Sequence, residues 1–233
     1  MAERLELLCQ AWLSCGESLG YKARLALKER FPSAAELFRQ FPASVRDIAG
    51  DKAYHELAAL RDKGLDKMEE ALRRSDIRLS VPGDGVFPEL LTRIEDPPEL
   101  LFYQGVLKAD ETRAIAMVGS RRETRYGREQ AFAIARDLAA QGVTIVSGLA
   151  RGIDTAAHLG ALEAGGRTIA ILGSGLKNIY PQENAALAER IIKSGGALIS
   201  EFAPKAEPLA YRFHQQHAVT QPGNQPGEER HPH

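Results

Sequence analysis

Apolar residues near the start of the chain recur three and four positions apart. LELLCQAWL, YKARLALKERF, SAAELFRQF, SVRDIAG and AYHELAALRDKGLDKMEEALRRSD set hydrophobic stripes against charged positions, which predicts short amphipathic helices over residues 1 to about 75. Ser33 and Ser44 stand where such stripes begin and are read as N-caps. The pattern changes at about residue 76. IRLSVPGDGVFPELLTRIEDPPELLFYQGVL is punctuated by proline and glycine, with β-type stretches at Ile77–Val81 and Leu100–Tyr103. Residues 76–112 are therefore expected to form a connector that packs on the domain after it.

From residue 113 the pattern becomes regular. Apolar strands AIAMVG (114–119), VTIVSG (143–148), TIAILG (168–173) and ALISEF (197–202) alternate with amphipathic helices over 127–142, 155–164 and 183–196. Such alternation predicts right-handed crossovers and an α/β fold, a Rossmann-like parallel sheet with helices on both faces. Ligands of such sheets sit at the carboxyl ends of the strands. Residues 113–203 are assigned to this domain. From about 204 aliphatic residues thin out, and FHQQHAVTQPGNQPGEERHPH reads as a disordered tail.

Three strand exits carry the candidate chemistry: GSRRETRYG (119–127), SGLARGID (147–154) and GSGLKNIYP (173–181). Glycine allows close backbone approach, and amide groups turned up before a helix suit a phosphate. Gly119, Gly148, Gly152, Gly173 and Gly175 are therefore candidate backbone contacts. Arg121, Arg122, Arg125 and Arg151 add a basic patch, with Arg128 beside it; solvated surface arginines are the plain alternative. Arg121 directly follows Gly-Ser and is expected to reach over the sheet edge, where a guanidinium–phosphate pair is strong. Asp154 is read as an N-cap of the helix at 155–164 or as a residue ordering the loop. Tyr180 either stacks on a base or packs the turn. Glu201 ends the last strand, placed to bond loop amides or a ligand hydroxyl.

Composition narrows the classes. The chain has 233 residues, 44% hydrophobic and 26% charged, as in an ordinary globular protein. Net charge is −1, so attraction for a polyanion has to be local. No stretch approaches the roughly 18 apolar residues of a membrane span, and MAERLELLCQAWL is read as no signal peptide. Cys9 and Cys15 fit reduced thiols in the cytoplasm, and His214, His217, His231 and His233 lack metal-site spacing. No metal and no cofactor are expected. His158 and Asp154, four apart, suggest acid–base chemistry. Ser147 is the one nucleophile at hand, and neither a Gly-x-Ser-x-Gly elbow nor a known nucleotide-binding signature is present. The reading is a non-enzymatic phosphate site.

GSR (119–121), YG (126–127), SGLARGIDTAAH (147–158), GG-TIAILGSGL (165–176), YPQEN (180–184) and SEF (200–202), in this order and spacing, resemble the DNA-processing protein A (DprA/Smf) family. FPELLTRIEDPPELLFYQG (87–105) is similar to that family's lead-in, and residues 1–75 to its helical SAM-like domain. The resemblance covers residues 1 to about 213. It implies single-stranded DNA binding and protection, loading of the recombinase RecA during natural transformation, and homodimerisation. It places DNA contacts on Gly119, Ser120 and Arg121, and on Ser147, Gly148 and Ala150 through Asp154. After Phe213 the chain departs from the family's Phe-Pro-x-Arg-Asn-Arg continuation, as a truncation or frameshift would leave it. Expected consequences are weaker DNA binding, doubtful dimerisation and RecA contact, and an exposed apolar edge at the fourth core strand. An enzyme acting on a small nucleotide, or a non-functional fragment, is the alternative.

Overall fold

The structure, a computed structural model, describes residues 2–94 and 97–209. Helices α1 (Ala2–Ser14), α2 (Tyr21–Arg30), α3 (Ala34–Gln40), α4 (Ser44–Ala49), α5 (Asp51–Lys63) and α6 (Leu65–Arg74) form the first module. Its apolar stripes converge on Trp12, Leu27, Leu37, Val45 and Leu57. The buried indole of Trp12 donates to the Leu57 carbonyl at 3.0 Å. Ser33 caps α3, its hydroxyl accepting from the Glu36 amide at 3.1 Å, and the Glu6 carboxylate takes the Ala34 and Ala35 amides. Ser44, expected as a cap, is instead the first helical residue of α4, and Ala43 precedes it as the cap.

Among the described residues six strands make one sheet: β1 (Arg78–Ser80), β2 (Leu101–Gly105), β3 (Ala114–Ala116), β4 (Thr144–Ser147), β5 (Thr168–Ile171) and β6 (Ala197–Ser200). Their order is β1-β2-β6-β5-β4-β3. The last four are parallel, joined by α7 (Arg125–Ala140), α8 (Ile153–Glu163) and α9 (Ala185–Lys193). The sheet is mixed rather than parallel throughout, because β1 and β2 join it antiparallel from the proline-rich segment.

That pairing corrects the expected apolar edge. β6 is an interior strand, with Tyr103 of β2 opposite Ile199 and Phe102 opposite Ser200. Successive parallel strands lie side by side, so right-handed crossovers place α7, α8 and α9 on one face. On that face Phe102, Ala170 and Leu198 share a core with Leu187 and Ile191 of α9, and also with Ala11 and Leu72 of the helical module. The alternate residues Leu101, Tyr103, Ile169, Ile171 and Ile199 face Phe87 and Leu91, the latter on a short 3-10 helix at Glu89–Arg93.

At the amino edge of the sheet, Glu111 and Arg167 form a buried ion pair. Arg167 Nε lies 2.8 Å from the carboxylate, Thr144 donates to its other oxygen at 3.1 Å, and Arg167 also reaches the Val106 carbonyl. At the carboxyl edge the chain beyond β6 continues as structure. Ala203 and Ala206 are buried, so the expected tail from 204 does not begin there. Phe213 and the four tail histidines lie outside the described residues. No helix among the described residues is long and apolar enough to cross a membrane.

Candidate nucleic-acid interface

The first and second strand exits are built against each other. Gly119 lies where a Cβ would come within 2.7 Å of the Ile153 side chain, and the Ile153 amide donates to the Ser120 carbonyl at 3.2 Å. Gly152 has φ +82°, and a Cβ there would overlap the same Ser120 carbonyl. These glycines let one loop lie on the other. That is a correction to the expectation that their small size directly admits a sugar–phosphate strand.

Asp154 is the knot of this arrangement. Gly152, not Asp154, is the N-cap of α8, and the Asp154 carboxylate points back into the loop. Its Oδ2 accepts from the amides of Gly148 at 3.1 Å and Ala150 at 3.3 Å. Burial pushes its carboxyl above the ordinary carboxylate range, while the amides of Ala150, Gly148 and Gly119 pull it back. The Gly148 and Ala150 amides therefore bond within the protein, where phosphate contacts were expected. Ser147 is buried and donates to the Met117 carbonyl at 2.6 Å.

Asn184, to which sequence reasoning assigned no role, ties in the third exit. Its Nδ2 donates to the carbonyls of Leu149 (2.8 Å) and Ala150 (3.3 Å) and to Thr155 Oγ1 (2.9 Å). Leu149 is a buried residue in the left-handed region at φ +58°, where a leucine requires such bracing. The one signal in the sequence was the polar end of YPQEN just before an apolar helix. Gly175 packs against the chain beyond β6. Gly175 donates to the Ala206 carbonyl at 2.9 Å, and a Cβ on it would overlap Ala203 and Pro204. Gly173 and Gly175 are both buried, and Gly175 accommodates the chain beyond β6.

Arg121, Arg128 and Arg151 line an open cleft of about 630 Å³ together with Gly152, Asn184 and the carboxylates of Glu123, Glu129 and Glu183, whereas Arg122 and Arg125 are not part of its lining. Arg151 pairs with Glu183 through two parallel contacts, Nε–Oε1 at 2.8 Å and Nη2–Oε2 at 3.0 Å. The pair holds the guanidinium above and the carboxyl below their ordinary values, with Tyr180 beside Arg151 as a smaller influence. Tyr180 is 43% exposed. Arg122 is exposed with its amide bonded to the Ser120 hydroxyl at 3.0 Å, and Arg125 starts α7 paired with Glu129 at 2.7 Å. Glu201 is half-buried at the end of β6.

His158 does not face Asp154. It is fully buried beneath the helices, and its Nδ1 lies 2.7 Å from Thr168 Oγ1. The Thr168 hydroxyl proton goes to the Ile145 carbonyl at 2.7 Å, so His158 Nδ1 carries the proton and donates. Burial pushes this imidazole down to about 3. The geometry makes His158 a neutral strut between α8 and β5 and assembles no acid–base pair.

Residues 78–219 match the model of the family described as DNA recombination-mediator protein A. Protein Smf of Escherichia coli K12 is 46% identical over 134 residues, covering 57% of this chain and 36% of that protein. DNA processing protein DprA of Streptococcus pneumoniae R6 is 41% identical over 130 residues, covering 56% of this chain and 45% of that protein. The chain thus spans less than half the length of these curated relatives. The X-ray structure of DNA processing protein A from Streptococcus pneumoniae superposes with TM-score 0.63 at 28% identity, over 90% of this chain and 72% of that one. DNA processing protein A from Helicobacter pylori, described for its single-stranded DNA binding mode, superposes with TM-score 0.53 at 28% identity, over 61% of this chain and 64% of that one. With the loops that carried the resemblance also joined to one another in space, the chain belongs to the DNA recombination-mediator protein A family, the DprA/Smf proteins.

Proposed function

We propose that this chain binds single-stranded DNA at the carboxyl edge of its sheet, with the strand's phosphates on Arg121, Arg128 and Arg151. The observation that carries this reading is the convergence of these arginines, from the first and second strand exits, on one open cleft. The family relationship supports it, as does the likeness to the Helicobacter pylori protein described for single-stranded DNA binding. The loop backbone acts one step removed, its amides bonded to Asp154 and its carbonyls to Asn184, which holds the Arg151 loop in place. Tyr180 at the rim offers a face to a base, a contact worth about 1–3 kcal/mol.

In the cell this binding serves protection of incoming single strands in the cytoplasm and loading of RecA on them during natural transformation. Assembly as a homodimer belongs to the same reading. The chain carries no Phe-Pro-x-Arg-Asn-Arg segment, so its affinity is weaker than that of relatives with those extra phosphate contacts.

Fluorescence anisotropy with labelled oligothymidylate and a duplex across a salt series tests the reading. The single strand binds in preference to the duplex, and affinity falls with salt. Arg121→Ala weakens binding by about tenfold or more, the worth of a charge-assisted contact. Equal affinity of wild type and Arg121→Ala for the single strand sinks the proposal.

A further inference from the structure

Lys63 ends α5, Lys67 lies in α6, Lys177 follows β5 and Lys205 follows β6, yet all four line one groove of about 450 Å³ between the helical module and the carboxyl edge of the sheet. All four are exposed, and none of their ammonium groups has a hydrogen bond or ion pair among the described residues. Two carboxylates, Glu17 and Glu56, also line the groove. Glu56 is already engaged by the amides of Glu17 and Ser18, each at 2.9 Å. Four cations against two carboxylates form a positive site on a chain whose net charge is −1. The lining between them is largely apolar, with half-buried Leu60, Leu65, Met68 and Pro204.

Positive rims over an apolar floor fit an anion that repeats along a chain of flat apolar bodies, which is the chemistry of a single-stranded nucleic acid. One segment of chain links the groove to the cleft described above. The third strand exit runs from Lys177, in the groove, to Tyr180 and Glu183, beside Arg151. We propose that this groove is a second subsite for single-stranded nucleic acid, in which Lys63, Lys67, Lys177 and Lys205 hold the phosphates of the strand as it leaves the arginine cleft. The proposal rests on the reading of that cleft as the primary DNA site. It gives the helical module a direct part in binding.

The test uses the full chain and compares anisotropy for oligothymidylates of about six and about twenty nucleotides, the shorter sized to fill one cleft only. A Lys63→Ala/Lys67→Ala double variant changes two exposed side chains, and a matching thermal melt establishes that it folds. It should bind the longer strand roughly tenfold more weakly at low salt, with the slope of log affinity against log salt smaller by about 1.4, while binding of the shorter strand is unchanged. Lys177→Ala should act in the same direction from the opposite wall. Wild-type affinity and slope for the longer strand in the double variant overturn the subsite. An equal loss at both lengths also overturns it, because the lysines would then belong to no separate site. Self-association abolished by the double variant, with DNA affinity intact, would assign the groove to a second copy of the chain and overturn it too. Arg121→Ala reports on the primary site independently: if it leaves the short strand's affinity untouched, the arginine cleft reading fails, whatever the lysines show.

Discussion

Gly152 shows how closely a single position is specified. Its φ of +82° disfavours any L side chain, and a Cβ would also run into the Ser120 carbonyl. Gly142 has a similar φ of +77° with nothing within 4 Å of a Cβ, so it carries the backbone cost alone. Gly142→Ala should therefore cost about 1–2 kcal/mol. Gly152→Ala should cost more in thermal melts and also weaken DNA binding, because the arginine-bearing loops must separate. Equal costs at the two sites would refute the loop-on-loop packing. His158 gives a pH prediction. Its imidazole is held down to about 3, against 6.5 when exposed, so the unfolded chain takes up a proton that the folded chain refuses between these values. The His158 contribution to stability is therefore fully present above about pH 6.5 and is lost as pH falls toward 3, at up to about 1.4 kcal/mol per pH unit. Denaturant titrations at stepped pH should show this slope, and His158→Gln should reduce it.

At the scale of elements, the parallel strands are held at both ends by contacts between distant segments. At the amino edge Glu111, before β3, meets Arg167, before β5, and Thr144 at the start of β4. Removing one member of a buried pair leaves the other charged and unpaired, which costs about 3–5 kcal/mol. Glu111→Ala should accordingly lower the unfolding midpoint strongly, whereas Glu129→Ala, breaking the exposed pair with Arg125, should change it by under about 1 kcal/mol. Comparable effects in urea titrations would show that the buried cluster does not secure the strands. The predicted helices and parallel strands arise because apolar periodicity marks a buried face locally. The antiparallel addition of β2 to β6 left no such mark in the run of prolines and glycines around it. The hydrophobic character of Leu101, Phe102 and Tyr103 was visible, but their strand partner was not.

At the scale of the molecule, the helical module and the sheet share a core. Ala11 of α1 and Leu72 of α6 lie in the cluster that contains Phe102, Leu176 and Leu198. Phe102 is fully buried at this junction, so Phe102→Ala should destabilise the protein by about 3–5 kcal/mol. The loss should fall on both modules together. Trp12, the one tryptophan of the chain, reports on the helical module, and far-ultraviolet circular dichroism reports on the whole. The two transitions should coincide in wild type and shift together in the variant. Separate transitions, with Trp12 unaffected by Phe102→Ala, would show that the modules are energetically independent.

By itself the sequence determined the alternation of strands and helices and the strand-exit loops that carry the arginines. These follow from periodicity and from steric rules that act over a few residues. Tertiary structure alone decided that Arg151 meets Glu183, that Asp154 gathers amides from its own loop, and that Asn184 braces the left-handed Leu149. It also decided that His158 turns to Thr168 and that Lys63 and Lys67 share a groove with Lys177 and Lys205. A local pattern records whether a side chain is to be buried or exposed. Which donor a buried carboxylate receives, and which distant cation stands beside another, depends on how finished elements pack across the chain.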